Sequence, residues 1–297
     1  MLPSVLPAHC ALALASLLAA SPVPPDARPT AEGPPGVREL RFNWTRDGVI
    51  TGVGAVLWIG SEALLKKELA PEPCRWCDRN PDGTDGLNGL DKWGRGLAGT
   101  TEVQRKRADT WSNVVDFGLL PVSVLGAQYA LAHANGAPRS VFFQDAGIIV
   151  QTAVLSSVLN QTVKFIAGRE RPFVHVLPED QKLLVDHATD NNLSFYSGHT
   201  NLAFALVVSA GTVAELRGYK HRGWIWAVGL PLATTVPLLR MAADKHYLTD
   251  VATGALLGSA FGVAVPLLLH GRTPESPGAV SLNVTGGPHG AVFAGRF

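Results

Sequence analysis

Residues 251–269 read VATGALLGSAFGVAVPLLL, a run without a single charge. A helix rises about 1.5 Å per residue, so this run is long enough to cross a hydrocarbon core of ~30 Å. Working back along the chain, residues 224–239 (WIWAVGLPLATTVPLL) are also uncharged, shorter, and hold Pro231 and Pro237, where a kink is expected. Further apolar stretches follow at 198–216, 141–166, 114–132 and 49–65. The 141–166 stretch carries Gln144, Asp145, Gln151, Asn160 and Gln161, which suits a helix with one face against protein. The 49–65 stretch holds Glu62 and is the weakest candidate for a crossing. The expected fold is all-α: a membrane-associated bundle of about five or six apolar helices, with the working site at one membrane face.

Composition agrees. The 297 residues are 46% hydrophobic and 16% charged, where roughly 25% charged is ordinary for a soluble domain. Lys and Arg total 25 against 24 Asp and Glu, so no basic excess exists to neutralise a nucleic-acid backbone. Nucleic acid is therefore excluded as a partner on bulk charge. The short connection RGYKHR (217–222) is positive, which favours the cytoplasmic side. It puts the end of the third apolar segment, the start of the fourth and the turn before the sixth outside. Six crossings after a cleaved leader would reverse that assignment, whereas an uncleaved anchor preserves it.

Domain boundaries follow from composition. Residues 1–21 contain ALALASLLAA (11–20) and read as a signal peptide or N-terminal anchor, although no Lys or Arg precedes the run. Residues 22–40 form a proline-rich linker. Residues 41–113 hold the first helix and a polar region with Cys74 and Cys77 in CRWC. That pair could be a local disulfide, half a zinc site or a redox motif; an exported location favours the disulfide or two bystander thiols. The stretch PDGTDGLNGLD (81–91) fails the spacing of a calcium loop and reads as a solvated turn region. Residues 114–272 form the helical core, and 273–297 a tail that alternates weakly, as a strand or a loose end.

The chemistry collects in three places. Lys164 and Arg171, in KFIAGRERP, stand seven apart, so two helical turns would put both cations on one face, with Pro172 ending the helix. Ser197, Gly198 and His199 open the fourth segment, where free backbone N–H groups and the helix dipole favour an anion. Arg240, His246 and Asp250 lie in RMAADKHYLTD, with the last two spaced for a hydrogen bond that would fix the imidazole tautomer. Taken singly, each is ordinary. Together they place three cations, an N–H nest, two histidines and a carboxylate at one end of the bundle.

These three motifs resemble those of the type 2 phosphatidic acid phosphatase family, which shares its site with bacterial acid phosphatases and vanadium haloperoxidases. All three spacings fit, across about 115–270. Tyr196 stands where the family has proline, and Leu239 where it has serine. The resemblance implies that His246 attacks phosphorus and becomes phosphohistidine, with Asp250 orienting it. His199 would protonate the leaving oxygen and then activate water. Lys164, Arg171 and Arg240 would hold the phosphate oxygens, with Ser197 and Gly198 completing the cradle. No metal or other cofactor is called for. The substrate implied is a phosphomonoester or diphosphate, most simply of a lipid, and the location a cell envelope membrane with an outward-facing site, periplasmic if bacterial. The rival readings are an exported acid phosphatase on soluble esters, a vanadium-dependent haloperoxidase, a metal hydrolase and a scaffold with a degenerate site. Nothing in the residues speaks to oligomeric state.

Overall fold

The computed structural model describes residues 36–185, 187–271, 281–287 and 290–296. The expected leader and most of the proline-rich linker lie outside the described residues. All six apolar stretches become helices: α1 (Trp44–Ala63), α2 (Glu102–Ala134), α3 (Arg139–Ala167), α4 (Gly198–Arg217), α5 (Gly223–Ala242) and α6 (Leu248–His270). Four of them, α2, α3, α5 and α6, are long and apolar enough to cross a membrane by length and composition. The fold is the expected all-α, membrane-associated bundle. The described part of the tail adds an antiparallel hairpin, β1 (Ser281–Gly287) with β2 (Gly290–Arg296).

Local sequence sets the helix ends. Asn43 accepts from the Arg46 N–H at 2.9 Å to cap α1. Thr101 and Gln104 form a capping box that starts α2 well before the apolar run at 114, so the residues read as the end of a polar region are this helix's first turns. A π-helical turn interrupts α2 at Val115–Leu119. Gly168 closes α3 with φ +57°, the left-handed conformation glycine adopts without strain. This corrects one expectation: the helix stops at Gly168 rather than at Pro172, so Lys164 and Arg171 do not share a helical face. In α5 the helix continues through Pro231 and Pro237.

The central element is α4, buried along almost its whole length, with α2, α3, α5 and α6 packed around it. Its closest partner is α6. A Cβ on Gly258 would stand 2.3 Å from the Asn201 carbonyl oxygen, and one on Gly254 2.7 Å from that of Ser197. Glycine at these two positions lets the helix backbones touch.

One end of the bundle gathers the entering chain and RGYKHR: the Arg38 N–H donates to the Arg217 carbonyl at 3.0 Å, and Arg41 to that of Gly271 at 3.1 Å. At the other end lie the C-terminal ends of α1, α3 and α5 and the N-terminal ends of α2, α4 and α6. The polar region between α1 and α2 docks there. Cys74 and Cys77 form a disulfide, which selects one of the alternatives open in the sequence. Much of PDGTDGLNGLD is the solvated turn expected, with Asp82 accepting from the Thr84 N–H at 3.0 Å. Its last residue departs from that reading: Asp91, in the short helix Gly89–Arg95, is fully buried.

Candidate active site

The end of the bundle opposite RGYKHR encloses a cavity of about 300 Å³. Lys164, Arg171, Gly198, His199, Arg240 and His246 all line it. Residues 82 apart in the chain, from Lys164 in α3 to His246 in the turn before α6, therefore meet in one space. Gly198 lies so near the first motif that a Cβ there would stand 3.3 Å from Lys164 Nζ and 2.8 Å from Asn160 Oδ1. A side chain would intrude between the cation and the start of α4.

His246 precedes α6 rather than lying on it. Its Nδ1 donates to the Ser194 carbonyl at 2.8 Å, which leaves the lone pair on Nε2. That Nε2 is buried and has no hydrogen-bond partner among the described residues. Burial, reinforced by the charges of Arg171, Arg240 and Lys164, pushes the imidazole pKa well below the ordinary histidine value. The ring therefore stands neutral. Asp250 lies 3.7 Å from Nδ1, beyond hydrogen-bond distance, so the Ser194 carbonyl fixes the tautomer instead of the expected carboxylate. Asp250 is fully buried and accepts from Ser194 Oγ at 2.5 Å and from the Tyr247 N–H at 3.0 Å. It thus holds the segment whose carbonyl orients His246.

His199, Arg240 and Arg171 each have a partner that the motifs do not include. His199 Nε2 donates to Asn113 Oδ1 at 2.7 Å, and Phe117 packs edge-on against the same ring. Arg240 donates through Nη1 to Asp109 at 2.5 Å and to Ser112 Oγ at 3.1 Å, while its buried Nε has no partner among the described residues. Arg171 Nε donates to the Asp190 carbonyl at 2.8 Å. The Asp190 carboxylate pairs with Lys66, and burial there is outweighed by Arg171, Lys66 and Lys164, which hold its pKa at about 2. Ser197 is placed differently from the other cradle residues. Its Oγ is buried, accepts from the Thr200 N–H at 3.4 Å and caps α4 instead of lining the cavity.

A helical bundle that gathers three cations, a helix start and two histidines around one cavity presents the chemistry that suits an oxyanion. The segment that supplies these groups, residues 145–274, matches the PAP2 superfamily. The chain is also 37% identical over 105 residues to a bacitracin transport permease protein, BcrC, from Bacillus licheniformis, covering 35% of this chain and 46% of that protein. It thus spans about half the length of that relative. A transmembrane PAP2-type phosphatidylglycerolphosphate phosphatase from Bacillus subtilis aligns in structure over 74% of this chain and 93% of its own, with TM-score 0.39 and 16% identity.

Proposed function

We propose that this protein is a membrane phosphatase that hydrolyses a phosphomonoester or diphosphate, of a lipid, through a phosphohistidine at His246 and without a metal. The observation that carries this reading is the unpartnered, buried Nε2 of a neutral His246 facing a cavity lined by Lys164, Arg171 and Arg240.

In the first step Nε2 attacks phosphorus as the ester oxygen departs, and His199, entering the step as the imidazolium, gives that oxygen a ring proton and is left neutral. The ring of His246 becomes positive. The Ser194 carbonyl at 2.8 Å and the Asp250 carboxylate at 3.7 Å lie beside Nδ1 to stabilise it. In the second step water attacks the phosphohistidine, and His199 takes the water's proton. Phosphate leaves and His246 is neutral again. The three cations stabilise the charge on the phosphoryl oxygens in both steps, which is most of what phosphoryl transfer needs. Five cations against three carboxylates line the cavity, a balance that disfavours a divalent ion and supports the metal-free route.

Trp58, Phe117, Leu193 and Leu202 line the same cavity, so its wall offers apolar surface beside the cradle. That, with four helices fit to cross a bilayer, supports a lipid substrate. With RGYKHR on the cytoplasmic side, the cavity opens outward into the cell envelope. The deciding experiment measures phosphate release in detergent with EDTA, from a lipid phosphate and from a soluble phosphomonoester, for wild type and His246→Ala. Release from the lipid that vanishes in the variant is expected. Release from the soluble ester alone would instead make this an exported acid phosphatase, and loss of activity in EDTA would overturn the metal-free mechanism.

A further inference from the structure

Arg169 lies in the first motif between Lys164 and Arg171, is fully buried, and faces away from the cavity wall toward Asp250. Its guanidinium is used on every side. Nε donates to Asp78 at 2.8 Å, Nη2 to Asp91 at 2.7 Å, and Nη1 to Asp250 at 2.7 Å and Thr249 Oγ1 at 2.8 Å. The rings of Trp76 and Tyr247 stand 4.3 and 4.2 Å from its central carbon. Burial opposes the charge, yet Asp250, Asp78 and Asp91 outweigh it and raise the arginine pKa further.

Half of this shell, Trp76, Asp78 and Asp91, comes from the polar region between α1 and α2, which the phosphatase chemistry leaves unused. Trp76 and Asp78 belong to the CRWC turn, where the Cys74–Cys77 disulfide closes a loop with a Cα–Cα distance of 5.5 Å. The turn is laid against the first motif: the Arg75 N–H donates to the Gly168 carbonyl at 3.0 Å, and the Glu170 N–H to that of Trp76 at 3.0 Å. Asp91 also accepts from the Thr249 N–H and Oγ1, each at 2.9 Å, so it holds the first turn of α6.

We propose that Arg169 is a positioning residue for phosphoryl transfer, and that the disulfide-closed CRWC turn together with Asp91 is the clamp that holds it against Asp250. This rests on the phosphatase reading above. Asp250 Oδ2 is committed to Ser194 and Tyr247, so Arg169 is what fixes Oδ1 and with it the plane of the carboxylate beside His246. The groups facing Asp250 are Arg169 from the loop after α3, Asp78 and Asp91 from the polar region, Ser194 from the loop before α4, and His246 and Tyr247 from its own turn. Without Arg169 the Asp250 charge 3.7 Å from His246 Nδ1 is no longer offset, so the His246 imidazole takes up a proton at higher pH.

Arg169→Gln, Arg169→Lys and the double variant Cys74→Ser/Cys77→Ser test this in full-length protein. For Arg169→Gln the expected kcat falls about 10- to 100-fold, the scale of groups that orient a reacting residue, with KM within about twofold. The acidic limb of the kcat profile moves to higher pH, and Arg169→Lys recovers part of both. The cysteine double variant lowers kcat in the same direction by a smaller factor. A merely structural role would lower the yield of folded protein but leave the profile in place. Folded Arg169→Gln with kcat within about threefold of wild type and an unmoved acidic limb would overturn the proposal. If Arg169→Gln does not fold, the double variant decides it: kcat unchanged overturns it, kcat lowered at constant KM sustains it. Should the wild type release phosphate from neither ester, the phosphatase reading fails separately. The clamp is then judged by hydrogen exchange at residues 248–252, where at least about tenfold faster exchange in the double variant sustains it and unchanged exchange overturns it.

Discussion

Where α4 ends, the buried Asp145 carboxylate accepts from Arg217 Nε at 2.7 Å, Tyr219 OH at 2.7 Å and Gln128 Nε2 at 2.9 Å. Where α4 begins, buried Arg240 keeps an unpartnered Nε and buried His246 an unpartnered Nε2 among the described residues. Both ends take charge out of water, which costs several kcal/mol per ion unless hydrogen bonds return it. At the Asp145 end both carboxylate oxygens and every guanidinium nitrogen of Arg217 are paired, with Gln128 Oε1 alone left short in the network, which ties α2, α3 and the α4–α5 turn together. At the Arg240 end the pairing is left incomplete, and the groups left short are the ones an incoming phosphoryl group would satisfy. Full satisfaction marks a structural ion pair, and a shortfall around a cavity marks a binding site.

The largest expected effect lies at the incomplete end. His246→Ala should lower turnover by at least about a thousandfold with the melting temperature little changed, since it removes the proposed nucleophile itself. Comparable activity in that variant would abolish the contrast. Asp145→Ala should do the reverse. It leaves Arg217 buried without its carboxylate, costing about 3–5 kcal/mol of stability by denaturant titration, while turnover per folded molecule stays near wild type. Arg240→Ala should lower kcat/KM by about 10²–10³. It should also move the acidic limb of kcat/KM upward, because a positive neighbour that disfavours the His246 imidazolium is gone. In the wild type that limb should lie below pH 6.5, the ordinary histidine value: His246 must be neutral to attack, and activity is lost only as pH falls through its depressed pKa. Smallest of all, Tyr219→Phe should cost about 1–2 kcal/mol of stability and nothing in turnover, since Asp145 keeps two of its donors.

Much of this was legible in the chain. Long uncharged runs announce helices, and the gapped spacings around Lys164, Ser197 and Arg240 bring together residues of matching chemistry. What was not legible has physical causes. Arg169 occupies a position that the motif leaves open, and only the docked turn reveals its three carboxylates. Asp91 sits among Asp and Gly residues whose pattern carries no sign of what covers it. Asp109 and Asn113 looked like loop because the apolar run starts at 114, although Thr101 and Gln104 hold the signature of a helix start. The His246–Asp250 spacing pointed to a hydrogen bond because it presumes a helix through both, whereas α6 begins at Leu248.

The backbone contact between α4 and α6 at Gly254 and Gly258 also limits how this site can change over generations. Peptide groups, not side chains, set the spacing of the elements that carry His199 and Asp250, so substitutions along that seam separate the proposed acid from the carboxylate beside the proposed nucleophile before they alter which ester is accepted. New specificities must therefore arise in the other wall, from Trp58 and Lys66 near the end of α1, Phe117 in α2 and the loop that holds Asp190, where mutation can proceed without moving the chemistry.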